Sequence, residues 1–264
     1  MSTLTVTSIQ ADLQWEDKPA NLRRLEEQID GIGEPTELVI LPEMFPTGFS
    51  MRPEVFAERM DGPTLGWMRS VAARKKIILT GSLIIEEDGS YFNRLIWMLP
   101  TGQYGCYDKR HRFAYAGEDA HYTAGQKRLV ASVKGWRVLL LVCYHLRFPV
   151  WSRQQPGEGE DLEYDLIVYI ANWPERRSHA WKTLLQARAI ENQSYVVGVN
   201  RVGVDGNKIA HSGDSMIIDP LGEILYHASA TEEVFTRTLE KEHLTTIRQR
   251  FPFWRDSDHF YIEP

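Results

Sequence analysis

Cysteine is scarce in this 264-residue chain, which holds only Cys106 and Cys143. A small secreted fold stapled by disulfides would need more. Long apolar runs are missing too. The longest, Val138 to Tyr144, falls far short of the roughly 20 residues that cross a bilayer. The opening Met1-Ser2-Thr3-Leu4-Thr5-Val6 has neither the basic start nor the apolar stretch of a signal peptide. A reducing cytoplasm is the expectation. There is no excess of positive charge: 30 Lys and Arg stand against 36 Asp and Glu, a net charge of -6. That speaks against a nucleic-acid or anionic-membrane partner, which would want a basic face.

Several catalytic signatures are also absent. No G-x-S-x-G occurs, which disfavours a serine hydrolase of the nucleophile-elbow type. The eight histidines are scattered without H-E-x-x-H or paired ligand spacing, so a metal centre is not expected. Neither G-x-x-x-x-G-K-[ST] nor G-x-G-x-x-G is present, and no cofactor is implied.

What remains is a well-patterned globular chain, 43% hydrophobic and 25% charged, read as one domain over residues 1–264. The short acidic stretch 154–161 looks like a surface excursion. Alternating or continuous apolar segments predict strands at 4–10, 38–41, 77–85, 91–99, 103–108, 136–144, 165–170, 195–202, 214–219, 224–226 and 234–239. Helical spacing marks 21–29, 63–75, 178–193 and 242–250, with Ser178 as a cap. Strand-helix units mixed with a meander predict an α/β or α+β fold with helices covering sheets.

Three reactive side chains stand just past apolar strands, where ligands bind in open α/β sheets. Glu43, in Leu41-Pro42-Glu43-Met44-Phe45-Pro46, is bracketed by prolines and aromatics. Partial desolvation would suit it to general-base work, although a strand end simply meeting water reads equally well. Lys109 lies in Tyr107-Asp108-Lys109-Arg110-His111-Arg112. This is a basic loop in which one inward lysine could donate to an oxyanion. Cys143 ends a strand and is followed at once by Tyr144-His145-Leu146-Arg147-Phe148-Pro149. A sulfur on such a turn can face a pocket, with the Tyr144 N–H aimed at an oxyanion. Cys106 lacks that setting and reads as structural.

Taken in order, LPEMFPTGF (41–49), YDKRHRF (107–113), VCYHLRFP (142–149), ANWP (171–174), ARAIENQ (187–193) and GDSMIIDPLGEI (213–224), with the opening strand, resemble the nitrilase (carbon-nitrogen hydrolase) superfamily. The resemblance covers nearly the whole chain. It implies a four-layer α-β-β-α sandwich, usually paired into a homodimer, and a Glu-Lys-Cys triad carried by Glu43, Lys109 and Cys143. A second active-site acid falls at Glu118, with Asp119 as the neighbouring alternative. CYxLRFPVWSR, ANWP and ARAIENQ are most similar to the ω-amidase branch, whose members deamidate 2-oxoglutaramate and 2-oxosuccinamate.

On that resemblance, Cys143 would attack a small amide, Glu43 would carry the proton, and Lys109 with the Tyr144 N–H would hold the oxyanion. Ammonia would leave from a cysteine thioester. Arg147 is the candidate for a substrate carboxylate, with pairing to a structural acid as its rival. Phe49, Phe113 and Trp173 are candidate pocket walls, or ordinary core. The chain departs from the pattern at one place: His145 stands where the family usually has Asp, and a protonated imidazole would reverse the local charge. His179 also falls one place earlier than the pattern leads one to expect. The alternatives are another amidase or carbamoylase of the superfamily, a papain-like Cys–His enzyme using His145, and a non-catalytic binding protein that kept the fold.

Overall fold

The computed structural model describes residues 2–155 and 162–262. Most of the expected 154–161 excursion therefore lies outside the described residues. In chain order the elements are β1 (Thr3–Gln10), α1 (Lys18–Asp30), β2 (Leu38–Ile40), α2 (Pro53–Phe56), α3 (Pro63–Lys75), β3 (Ile78–Glu87), β4 (Ser90–Met98) and β5 (Tyr104–Asp108). There follow α4 (Glu118–His121), β6 (Leu129–Val133), β7 (Trp136–Val142), α5 (Pro149–Ser152), β8 (Leu166–Ala171) and α6 (Ser178–Asn192). The chain closes with β9 (Tyr195–Asn200), β10 (Val202–Val204), β11 (Ala210–Ile218), β12 (Ile224–Ser229), β13 (Glu233–Glu240) and α7 (Lys241–Arg250).

Among the described residues the strands form two sheets. One runs β13-β1-β2-β3-β4-β5; the other runs β10-β11-β9-β8-β7-β6, with β12 beside β11. Strands β1, β2 and β3 pair in parallel, as do β7, β8 and β9. Alternation along the strands sorts the side chains by layer. Leu38, Ile40, Leu95 and Trp97 share a core with Val138, Leu140, Val168 and Val197 of the other sheet. Val39, Leu79, Ile96 and Met98 turn the opposite way, onto Leu25 and Ile29 of α1 and Leu65 and Met68 of α3. On the far side, Trp181, Leu185 and Ala189 of α6 pack on the second sheet. The result is helix, sheet, sheet, helix.

Close approach of α6 depends on Gly198. A Cβ at that position would stand 2.5 Å from Leu185 Cδ1 and 3.0 Å from Trp181 Cζ2. Trp181 then reaches past β9 and donates its indole N–H to the Asp214 carbonyl at 2.7 Å.

The structure differs from the sequence reading in four places. Strand β7 stops at Val142 rather than Tyr144, because residues Cys143–Arg147 wind into a 3₁₀ turn. The single strand read over 195–202 is two, β9 and β10, pairing with different stretches of β11. Ser178 is the first residue of α6 rather than its cap. Strand β6 was not foreseen, since Leu129–Val133 alternates only weakly and faces solvent on one side.

Candidate active site

Each reactive side chain is delivered by the end of a strand. Glu43 follows β2, Lys109 follows β5 and Cys143 follows β7. Cys143 opens its 3₁₀ turn with φ of 43°. That left-handed backbone is costly for a side chain with a Cβ. It lifts the residue out of the strand line and onto the wall of a cavity of about 460 Å³. Tyr144 is next in the turn, at a position where backbone N–H groups have no partner within the turn itself. Its ring meets Phe113 and Phe148 edge-on.

Behind the cavity wall lies a buried charge cluster. Lys109 Nζ donates to Glu43 Oε1 at 2.8 Å and to both oxygens of Glu118, at 2.9 and 2.8 Å. All three side chains are buried, at 1% exposure or less. Glu43 is further held by Asn93 Nδ2 on Oε1 at 2.8 Å and by the Asn172 N–H on Oε2 at 2.9 Å. The Phe113 N–H donates to Glu118, while the neighbouring Asp119 is exposed. The lysine backbone is clamped too: its N–H donates to the Asn93 carbonyl and its carbonyl accepts from the Gly125 N–H. The Phe49 ring lies 5.1 Å from the ammonium.

The electrostatics follow from burial and proximity. Burial alone would push the Lys109 ammonium down, but Glu118 and then Glu43 outweigh it and hold the amine above the ordinary lysine range. Burial raises the Glu118 carboxyl, with Lys109 opposing. The Cys143 thiol is pushed well up by burial and then by the Glu43 charge, with Lys109 pulling the other way. Burial and the Glu43 charge therefore favour the thiol form of Cys143 over the thiolate. The Glu43 side chain lies within its electrostatic reach, and hydrogen bonds already organise both Glu43 oxygens.

His145 does not behave as the sequence allowed. Its ring is buried, and burial drives its pKa well below that of free histidine, so it is neutral. Nε2 faces the Arg110 and His111 N–H groups at 3.1 and 3.2 Å and the Tyr107 hydroxyl at 2.8 Å; Nδ1 lies 2.6 Å from the Val142 carbonyl. Both nitrogens are committed away from the thiol, which leaves no Cys–His pair.

The remaining predicted residues converge on the cavity, whose wall includes Phe49, Phe113, Tyr144, Arg147 and Trp173. Arg147 pairs with no acid among the described residues. Its guanidinium lies 4.9 Å over the Trp173 ring. Sequence reasoning missed Arg176 and Arg177, which also line the cavity; Arg177 stacks over Phe113 at 5.1 Å. Burial, then the charges of Arg176 and, after Cys143, Arg147, set the Arg177 environment. Asn93 and Asn172 were missed as well. Asn172 sits in the quoted ANWP motif, but Asn93 is an unremarked mid-strand polar residue with no local signal.

The carbon-nitrogen hydrolase family model matches residues 5–249. The chain belongs to that family. Among curated proteins, the omega-amidase YafV of Escherichia coli is 42% identical over 263 residues, covering 99% of this chain and 100% of that protein. A 2-oxoglutaramate amidase of Paenarthrobacter nicotinovorans is 34% identical over 89% of this chain and 82% of its own length. Among solved structures, a CN-hydrolase superfamily protein of Xanthomonas campestris with an arsenic adduct in its active site superposes with TM-score 0.97 at 42% identity, covering all of both chains. A nitrilase-superfamily protein of Saccharomyces cerevisiae shares the fold, with TM-score 0.85 at 23% identity over 95% of each chain. The expected family and α/β sandwich are thus established. No helix among the described residues is long and apolar enough to cross a membrane.

Proposed function

We propose that this carbon-nitrogen hydrolase is an ω-amidase that releases ammonia from a short amide bearing a carboxylate, 2-oxoglutaramate or 2-oxosuccinamate. The observation that carries the substrate class is the set of three cavity guanidiniums, Arg147, Arg176 and Arg177, none paired with an acid among the described residues. The two acids on the same wall are already engaged. Glu16 accepts from Arg52 and Ser50, and Asp205 accepts from the Asn207 and Ile209 N–H groups. Crowded cations in a partly apolar cavity favour an anionic ligand. Relatives named for ω-amide substrates support the same reading.

In the mechanism, Cys143 Sγ bonds to the amide carbon while its proton passes to Glu43. Lys109 and the Tyr144 N–H stabilise the tetrahedral oxyanion. Glu43 then protonates the leaving nitrogen, the C–N bond breaks, and ammonia departs. Water, deprotonated by Glu43, attacks the thioester and returns the thiol. Glu118 keeps the lysine in place. The cytoplasmic location and the homodimer belong to the same proposal.

The test is ammonia release by the purified protein from 2-oxoglutaramate, against Cys143→Ala. The wild type releases ammonia and the variant does not; equal release by both removes the nucleophile.

A further inference from the structure

His145 stands at the position where the family resemblance leads one to expect aspartate, and its surroundings show what it does instead. Nε2 is approached by three donors: the Arg110 and His111 N–H groups and the Tyr107 hydroxyl. The Tyr107 oxygen already accepts from the Trp151 indole N–H at 3.0 Å, so its own proton is free for the imidazole. Three donors around one nitrogen require a lone pair there. On the other side of the ring, Nδ1 lies 2.6 Å from the Val142 carbonyl oxygen, which has no proton to give. The Val142 N–H also comes within 3.2 Å of Nδ1; the shorter carbonyl contact decides the assignment. The proton is therefore on Nδ1. A second proton on Nε2 would point at two N–H groups and an indole-bonded hydroxyl, with Lys109 and Arg110 charges nearby.

The chain segments joined here matter. Arg110 and His111 directly follow Lys109, and Val142 directly precedes Cys143. One ring ties the lysine's loop to the cysteine's turn. Phe148 and Trp151 close the space, with His111 stacked on Phe148 at 3.9 Å and Trp151 edge-on to His111.

We propose that His145 is a positioning residue, a neutral imidazole acceptor that fixes the Lys109 loop against the Cys143 turn and so sets the separation of ammonium and sulfur during the reaction. This rests on the reading of Cys143 as nucleophile and Lys109 as oxyanion donor. A carboxylate could accept the same N–H groups, but it would add a negative charge behind the thiol. The imidazole supplies the acceptor without the charge.

Three His145 variants and one spectrum test this. His145→Gln can place an amide oxygen near the Nε2 position, whereas His145→Phe fills the space with no acceptor. With 2-oxoglutaramate, Phe should lower kcat about 100-fold, the scale of a small misplacement of reacting groups, with KM within about threefold of wild type. Gln should recover kcat to within about fivefold. His145→Asp should keep KM but move the alkaline rise of Cys143 alkylation by iodoacetamide to higher pH. A folded Phe variant with wild-type kcat overturns the proposal, as does a Gln variant as impaired as Phe or an Asp variant with an unmoved alkylation profile. The imidazole ¹⁵N shifts of the wild-type protein at pH 7 need no variant: they should report the Nδ1–H tautomer, and an Nε2–H or doubly protonated ring ends the proposal. Failure of the underlying mechanism looks different, because ammonia release by Cys143→Ala would survive whatever the ring's tautomer.

Discussion

Glu118 grips the Lys109 ammonium with both carboxylate oxygens, at 2.9 and 2.8 Å, from the first turn of a helix only four residues long. Asp119, one residue on, faces solvent. Helical geometry turns adjacent side chains about 100° apart, so only one of two neighbouring acids can face inward. Of the two, only Glu118 meets Lys109.

Glu118→Gln should lower kcat about 10- to 100-fold, the range expected when a reacting group loses its positioning. Asp119→Asn should leave it unchanged. Ammonia release under saturating 2-oxoglutaramate distinguishes the two, and an Asp119 variant as impaired as the Glu118 variant contradicts the assignment.

Arg147 and Arg177, each laid over an aromatic ring, should act on binding rather than chemistry. Loss of one charge-assisted contact is worth about 1.5–3 kcal/mol. Arg147→Leu or Arg177→Leu should therefore raise KM for a carboxylate-bearing amide about 10- to 100-fold. A neutral amide of the same length should be turned over as before. An equal loss on both substrates would point to a structural role.

Acid should destabilise this fold through its buried imidazoles. Burial lowers His111 and His211 to about 4, and drives His145 down as well, from the free value of 6.5. Between those limits the unfolded chain takes up protons that the folded chain refuses, so stability falls as pH drops from 6.5 towards 4. Glu118, raised by burial, works in the opposite direction but counts as one group against three. Calorimetry should show Tm falling across this range, with His211→Gln giving a shallower slope by about one proton. A flat Tm from pH 6.5 to 4.5 would refute the balance.

Gly198→Ala should cost about 1–3 kcal/mol, the range for overpacking a filled core. The added methyl would meet Leu185 at 2.5 Å, where both Leu185 and Trp181 are fully buried. Denaturant unfolding measures this directly; an unchanged midpoint would mean that α6 shifts freely on the sheet.

The sequence by itself determined most of the strands, though not β6, the division of 195–202 or the stop of β7 at Val142. Apolar runs ending at Pro42 and Cys143 are local patterns, and a reactive side chain at a strand end is visible without coordinates. It also carried the family resemblance, because that rests on ordered local motifs. Only the tertiary structure could decide what those ends meet. Lys109 and Glu43 are 66 residues apart, and Asn172 and Glu43 are 129 apart; no local pattern encodes those contacts. Asn93 was invisible because a polar residue in a strand signals nothing until its neighbours are known. The charge of His145 was also undecidable from sequence, since a histidine's pKa depends on burial and on which donors face it. The distant segment 107–111 and the turn that carries His145 itself surround that ring, and together they keep it neutral.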